Sequence, residues 1–563
     1  MIRKAVSAVV RFLLNHVVLK LVAGPVRRNL TRFEAATHNP RAIQEALLAD
    51  ILRHQADTGF GRDNRFASMR TVADYRRVLP VRGYEAIEPY IERVRKGDTK
   101  ALLNEHRIHM FALTSGTTAT RKYIPVTDRY LEDYKRSWNI WGLKIFLDHP
   151  HLKLRPIVQM AGDDDEIRTE AGIPCGAVTG LTAKMQKSIV RLFYCIPAAL
   201  ARVHDAQAKY YAALRLSMPR DVSMLVAANP STMLNLARSG DMHKERLIRD
   251  IRDGTLSGFD YPREFMEAAR RRLRKDPVAA KRLEEIATRT GTLYPKDYWT
   301  NGFLLGNWTG GSVGAYLRHY PRYFGENIVR DVGLIASEGR MTIPFTDHSP
   351  AGVLDVTTHY FEFIPEAEGD SPQPTVLGAH ELLEGGRYFI LLTTAYGLYR
   401  YHIHDLVRCT GFHNGTPLIE FLSKGANFSN LTGEKISEYQ ITQSVASVLR
   451  DIDATLGTYS VAPVWPDNDS VTPWYGLFVE PGDESVAEQL APRLDAKLRA
   501  MNIEYDAKRE SQRLGSLRVH PVVAGFWMRW DAERLRRNGG TLEQYKHPCL
   551  IADLEFARKV PGR

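Results

Sequence analysis

The amino-acid sequence predicts an α/β protein, a large N-terminal domain followed by a small α+β domain. Three observations carry that prediction. Short apolar runs alternate with longer periodic stretches through the centre of the chain, the pattern of strands set between helices. Residues 353–422 change to strands separated by tight turns, the texture of an antiparallel β-subdomain. A second unit opens beyond Lys424-Gly425. The length of 563 residues suits this division, 1–424 and 425–563. Its 25% charged and 10% aromatic residues exclude a disordered chain, a collagen or a coiled coil.

From Met1 to Gly24 apolar residues are interrupted by Arg11, Asn15, His16 and Lys20, too often for a spanning helix. An amphipathic helix packed on the body is expected there, with weak contact to a membrane surface as the alternative. Asn39-Pro40 opens a helix that places Ile43, Leu47, Leu48, Ile51 and Leu52 on one face. Residues 108–113, 223–227 and 332–335 read as buried strands; 205–218 and 264–289 read as helices. Strands then follow at 357–364, 387–394, 398–409 and 418–422, with turns at Gly385-Gly386 and His413-Asn414-Gly415. The small unit reads as a helix at 437–450, strands at 459–464 and 475–479, and a helix at 484–501.

The charge of +11 admits nucleic acid, an acidic membrane or a polyanionic small molecule as partner. Much of it lies in runs such as Arg270-Arg271-Arg272-Leu273-Arg274-Lys275, which read as solvated helix faces. No zinc-finger spacing or aromatic-basic stacking motif joins them, so no nucleic-acid partner is expected. Cysteines at 175, 195, 409 and 549 lack metal-ligand spacing and are too few to act as staples. A reducing, cytoplasmic compartment is the expectation.

Four motifs bear chemistry. Thr114-Ser115-Gly116-Thr117-Thr118 follows the strand ending at Leu113 and leads through Ala119-Thr120 to Arg121-Lys122. Hydroxyls, a glycine and two cations after a strand suit phosphate, although the composition also fits a plain surface loop. Ser337 and Glu338 end the run 332–336, and a carboxylate at a strand end can hold Mg²⁺ against phosphate oxygens. Asp405 closes a row with Tyr399, Tyr401 and Ile403, where it can accept from ribose hydroxyls or simply form a turn. Lys546, after Asn538-Gly539-Gly540, is a lysine on a mobile loop. Gly306 to Gly314 lacks dinucleotide spacing; its Trp308, Thr309 and Gly310 suit a pocket wall, and Tyr294, Tyr298 and Trp299 suit either that pocket or the core.

In this order the motifs resemble adenylate-forming enzymes. More closely, the chain resembles the auxin-responsive Gretchen Hagen family of acyl acid amido synthetases, as a distant bacterial-type member. The likeness runs through Thr114–Pro125, Ala336-Ser337-Glu338, Phe361-Glu362-Phe363-Ile364-Pro365, Leu392–Tyr401 with Asp405, Gly411–Asn414 and Gln544-Tyr545-Lys546. It implies a firefly-luciferase-like architecture with a mobile C-terminal domain. It also implies activation of a carboxylic acid by ATP and Mg²⁺, then transfer of the acyl group to an amine, usually an amino acid. By the same resemblance Ser115, Thr117 and Thr118 hold phosphates and Glu338 the metal. Asp405 takes the ribose, and Lys546 bridges carboxylate and α-phosphate. Ala119-Thr120 replaces the family's Gly-Glu, Leu334 an aromatic, and His402-Ile403-His404 the Arg-Val-Gly of Tyr-Arg-Val-Gly-Asp. An acyl-thioester (coenzyme A) ligase, or a non-catalytic nucleotide- or membrane-binding scaffold, stays open beside this reading, as does the oligomeric state.

Overall fold

The computed structural model describes residues 19–114, 122–153, 155–186, 188–311, 316–317, 319–369, 371–424, 428–466, 472–538 and 547–561. The chain divides into two compact units, residues 1–113 with 123–422 and residues 114–122 with 423–563.

In the first unit, the helix Pro40–His54 starts where its sequence requires. The Asn39 side chain accepts from the Ala42 N–H, and Pro40 sits in the first turn, where no donor is needed. Leu48, Ile51 and Leu52 are buried, with Ile43 and Leu47 packed beside them. The helix Leu19–Ala36 corrects the predicted end at residue 24: it runs through Gly24-Pro25, and its Leu30 and Phe33 pack against Ile140 and Trp141 of the helix Asp128–Asp148. Residues 1–18, most of the segment read for a membrane surface, lie outside the described residues. Among the described residues no helix is long and apolar enough to cross a membrane.

Three sheets shape this unit. Seven strands, in spatial order Thr342–Ile343, Gly352–Leu354, Thr416–Lys424, Tyr401–His413, Arg387–Thr393, Tyr360–Pro365 and Leu377–Gly378, form the antiparallel region expected at 353–422. A second sheet orders Lys122–Thr127, Ile108–Thr114, Pro174–Gly176 and Ile167–Arg168, with Phe111 opposite Cys175 in parallel. The third is wholly parallel: Ile157–Gln159, Met224–Val226, Leu304–Gly306 and Ile328–Arg330.

Two expected elements break. The helix expected over 264–289 is two, Arg263–Ala269 and Pro277–Thr290, because Asp276 caps the second through the Ala279 N–H and Pro277 starts it. A residue before proline avoids the helical region, so the basic run 270–275 becomes the link between helices rather than a helix face. The strand expected at 332–335 is also absent. Gly333 takes φ 93°, its N–H donates to the Asp331 carboxylate, and pairing resumes only at Ile335–Ala336.

A buried ion pair fastens the seven-stranded sheet. Arg400 Nε donates to Glu362 Oε2 at 2.9 Å, and Arg76 Nε to Glu362 Oε1 at 2.8 Å. Arg400 also donates to the Leu79 carbonyl at 2.6 Å, so helix, turn and strand share one charge network. Arg400 adopts φ 47°, and its N–H donates to Thr393 Oγ1, which ends the row before Tyr401. Tyr399 is therefore not in register with the strand that carries Asp405, contrary to simple alternation.

Beyond Tyr401 the strand bulges. Leu391 faces His402 and Phe389 faces Leu406, so one strand spends four steps where its neighbour spends two. The excess is taken up at His404, φ 62°. Its N–H donates to His402 Nδ1 at 3.0 Å, and the two imidazoles stack at 4.1 Å. His404 occupies the glycine place of the family pattern, and the backbone there is left-handed.

In the second unit, the strands Tyr459–Val464, Trp474–Val479 and Arg518–Pro521 form one sheet. The helices Glu438–Asp451 and Glu484–Met501 pack on each other, the first opened by a capping box of Ser437 and Gln440. Glu434 is fully buried and accepts from the Leu431 and Thr432 N–H groups and the Tyr475 hydroxyl.

Because Arg400 leaves a buried carboxylate behind when truncated, Arg400→Ala is expected to cost about 3–5 kcal/mol in urea unfolding of the full chain. His404→Gly is expected to leave stability unchanged or to raise it by up to about 1 kcal/mol, and His404→Val to lower it by about 1–2 kcal/mol. Equal losses in both His404 variants would contradict the backbone assignment.

Candidate active site

Two of the four motifs meet in the first unit. Ser337 and Glu338 form the turn between Ile335–Ala336 and Gly339–Arg340, a tight hairpin rather than the end of a parallel strand. The Ser337 hydroxyl donates to the Leu113 carbonyl at 3.2 Å, tying the hairpin to the strand that enters the hydroxyl-rich loop. The Tyr401 hydroxyl donates to Glu338 Oε1 at 3.3 Å, tying it to the strand of Asp405. One chain of contacts thus joins Leu113, the Ser-Glu turn and the bulged strand.

Gly339 explains the hairpin's shape. At φ 140° a Cβ there would lie 2.5 Å from His359 Nε2 and 2.6 Å from the Tyr396 hydroxyl. Both groups hold their places by contact with each other at 3.1 Å. Burial lowers the His359 pKa to about 4, so this imidazole is neutral near pH 7.

Glu338 is 3% exposed. Tyr130, Tyr396 and Tyr401 surround it, and burial pushes all three phenols well above their usual pKa, with the Glu338 charge adding to the effect. They stay protonated. The Tyr130 hydroxyl donates to the Ser337 carbonyl at 3.1 Å. Glu338 Oε2 has no hydrogen-bond partner among the described residues. A buried carboxylate oxygen without a donor is poorly solvated, and a divalent cation is a suitable partner for it. Among the described residues no group of three His, Cys, Asp or Glu could hold a metal.

Asp405 is 4% exposed, inside the bulge. Trp308, Thr309 and Gly310 follow the strand Leu304–Gly306 and form a fixed segment. Thr309 donates through N–H and hydroxyl to Asp331 Oδ2 at 2.6 and 2.8 Å, and the Trp308 indole donates to the Gly333 carbonyl at 3.0 Å. Burial raises the Asp331 pKa to about 6 despite those donors. Tyr294, Tyr298 and Trp299, by contrast, are core: each is less than 10% exposed and packs edge-on against Tyr323, Phe303 or its neighbour.

Thr114 ends its strand and Lys122 begins the next, while Ser115, Gly116, Thr117, Thr118, Ala119, Thr120 and Arg121 lie outside the described residues, as does Lys546. The residue after Lys546 is well held. His547 contacts Ser460 Oγ through Nε2 at 2.9 Å and Asp531 through Nδ1 at 2.8 Å, between the rings of Trp527 and Trp530. This Ser-His-Asp set is an anchor, not a nucleophile: Ser460 is fully buried and donates to the Pro548 carbonyl. Sequence spacing gave no hint of it, because its members are 16 and 87 residues apart.

The chain matches the GH3 family N-terminal domain over residues 29–329, the GH3 family central domain over 352–424 and the GH3 family C-terminal domain over 439–555. The jasmonoyl–L-amino acid synthetase JAR4 of Nicotiana attenuata is 24% identical, over 93% of both chains. The indole-3-acetic acid-amido synthetase GH3.8 of Oryza sativa subsp. indica is 26% identical, over 92% of this chain and 89% of that one. The solved structure of a GH3.15 acyl acid amido synthetase with 2,4-DB shares the fold, with TM-score 0.66 and 20% identity over 95% of this chain and 96% of the other. The three family domains follow one another along nearly the whole sequence, and the chain belongs to the GH3 family.

Proposed function

We propose that the protein is an ATP-dependent acyl acid amido synthetase. The observation that carries the reading is the contact of Glu338 with Tyr401, which brings the Ser-Glu turn to the strand of Asp405, with Ser337 held on Leu113 ahead of the hydroxyl-rich loop. Membership of the GH3 family supports it.

In the first half-reaction a carboxylate oxygen attacks the α-phosphorus of ATP. A phosphorus–oxygen bond forms, pyrophosphate leaves, and the acid becomes an acyl-adenylate. In the second, an amine nitrogen attacks the acyl carbon, the bond to AMP breaks, and the proton of the new amide nitrogen passes to solvent. Both steps require placement and charge neutralisation more than covalent help from the protein.

The residues divide that work. Thr114, Ser115, Gly116, Thr117, Thr118 and Lys122 receive the phosphates, with Ser337 setting the loop's starting strand. Asp405 accepts from the ribose hydroxyls, and the bulge at His404 aims it. Glu338 holds Mg²⁺, whose charge offsets that of the phosphates. Trp308, Thr309 and Gly310 wall the acyl pocket. Lys546, in the small domain 425–563, pairs with the carboxylate and α-phosphate during adenylation.

Acid-dependent exchange of pyrophosphate into ATP tests this directly. Asp405→Ala and Lys546→Ala are each expected to lower exchange by about 100-fold or more, and Glu338→Gln to raise the Mg²⁺ concentration needed. Wild-type exchange in both alanine variants would overturn the assignment. Product analysis should find an amide with an amino acid; thioester formation with coenzyme A in its place would move the protein to the ligase alternative.

A further inference from the structure

The first 36 residues hold seven lysines and arginines and a single acid, Glu34, so +6 of the formal charge of +11 comes from one end of the sequence. The helix Leu19–Ala36 shows how the later part of that charge is displayed. One face packs on the first unit through Leu30, Phe33 and Ala36, with Phe33 edge-on to Phe345 at 6.0 Å. The C-terminal end is clamped to the turn at 413–415. His413 Nε2 lies 2.6 Å from Glu34 Oε2, Asn414 Nδ2 donates to Thr37 Oγ1 at 2.7 Å, and the Gly415 N–H donates to the Thr37 carbonyl at 2.9 Å. The one acid of the helix is thereby engaged with the body.

The other face carries Arg27, Arg28 and Arg32, all exposed, with Thr31 and Ala35 exposed beside them. Among the described residues none of these three arginines forms an ion pair. Arg28 and Arg32 stand four residues apart, where like charges repel and an acid would have stabilised the helix. A face that accepts this cost and excludes acids is arranged for an anion larger than one side chain.

The preceding sequence adds what a soluble anion would not need. Ile2, Val6, Val9, Leu13 and Val17 recur at steps of three or four, and Arg3, Ser7, Arg11 and Asn15 at steps of four. That is the period of a helix with one apolar and one basic side. Nucleic acid offers phosphate but nothing for a row of valine and leucine. An anionic bilayer offers both, headgroup phosphate for the cations and acyl chains for the apolar side. We propose that residues 1–36 dock the protein on an anionic phospholipid surface, with Arg27, Arg28 and Arg32 toward the headgroups and the apolar residues of 1–18 in the interface. The clamp at Thr37 then fixes how the first unit faces the membrane. Docking of this kind needs neither ATP nor an acid substrate, and it stands apart from the catalytic reading.

Co-sedimentation of the full chain with lipid vesicles, without ATP, is the test. Vesicles of phosphatidylcholine with about one third phosphatidylglycerol should bind it at least about 10-fold more tightly than phosphatidylcholine alone, and high salt should shrink the difference. Arg27→Gln, Arg28→Gln and Arg32→Gln combined should weaken binding to the mixed vesicles by about 10-fold or more. Val9→Asp with Leu13→Asp should weaken it comparably although every cation is kept. An unchanged midpoint of urea unfolding separates loss of docking from loss of fold. Equal binding to both vesicles, no binding to either, or wild-type binding in either variant would overturn the proposal. Tighter binding to a duplex DNA oligonucleotide than to the mixed vesicles, retained in Val9→Asp with Leu13→Asp, would overturn it in favour of nucleic acid.

Discussion

The buried bond between Arg400 and Glu362 is the constraint on which the rest of the first unit depends. Removing two charges from water is costly, and the network offsets that cost only by satisfying every direction at once: Arg76 on the second Glu362 oxygen, Leu79 on a guanidinium nitrogen. Such geometry admits one backbone path. Arg400 must turn left-handed, which starts the strand at Tyr401 with its hydroxyl toward Glu338. Both members of the pair lie inside stretches that mark the family, Phe361–Pro365 and Leu392–Tyr401. Their role is to position the strand.

Charge near the Ser-Glu turn is organised by the same economy. Tyr130, Tyr396 and Tyr401 enclose Glu338 as neutral phenols, and neutral His359 closes the far side. Nothing positive among them is committed to that carboxylate. Under the proposed function, an incompletely paired carboxylate there would suit an incoming cation, with which a resident lysine would compete. Burial makes the difference large, since each uncompensated charge is felt more strongly in low dielectric.

The sequence was legible where local chemistry decides the outcome. Asn39-Pro40 and Ser437 with Gln440 cap their helices as their residue types require, and the strand Tyr459–Val464 has the expected ends. It was misleading where a nearby side chain or a special backbone angle overrides the apolar pattern. The apolar run 332–335 has every local mark of a strand, yet Asp331 captures the Gly333 N–H and breaks it. Residues 264–289 lack apolar interruption, but the Asp276-Pro277 pair, readable in hindsight, splits them. Period-two counting carried Tyr399 into the Asp405 row because a positive φ at Arg400 leaves no trace in composition. In the candidate site, Ser337, Glu338 and Asp405 could be singled out by residue type and position, while the contacts that hold the Ser-Glu turn to Tyr401 and Leu113 span 63 and 224 residues and had no sequence signal.

The excess of arginine and lysine gains a physical meaning from the same contacts. Arg215, Arg330, Arg340 and Arg400 are nearly or fully buried, and their guanidinium groups are spent on carbonyls and carboxylates of the interior. Arg272, one member of the basic run 270–275, turns inward to two carbonyls instead of facing solvent. These cations act as multi-armed donors for carbonyl groups that neither helix nor sheet satisfies, a task for which lysine, with one compact charge, is poorly shaped. A net charge of +11 therefore does not describe an outward electrostatic field of that size. Part of it holds loops together from within.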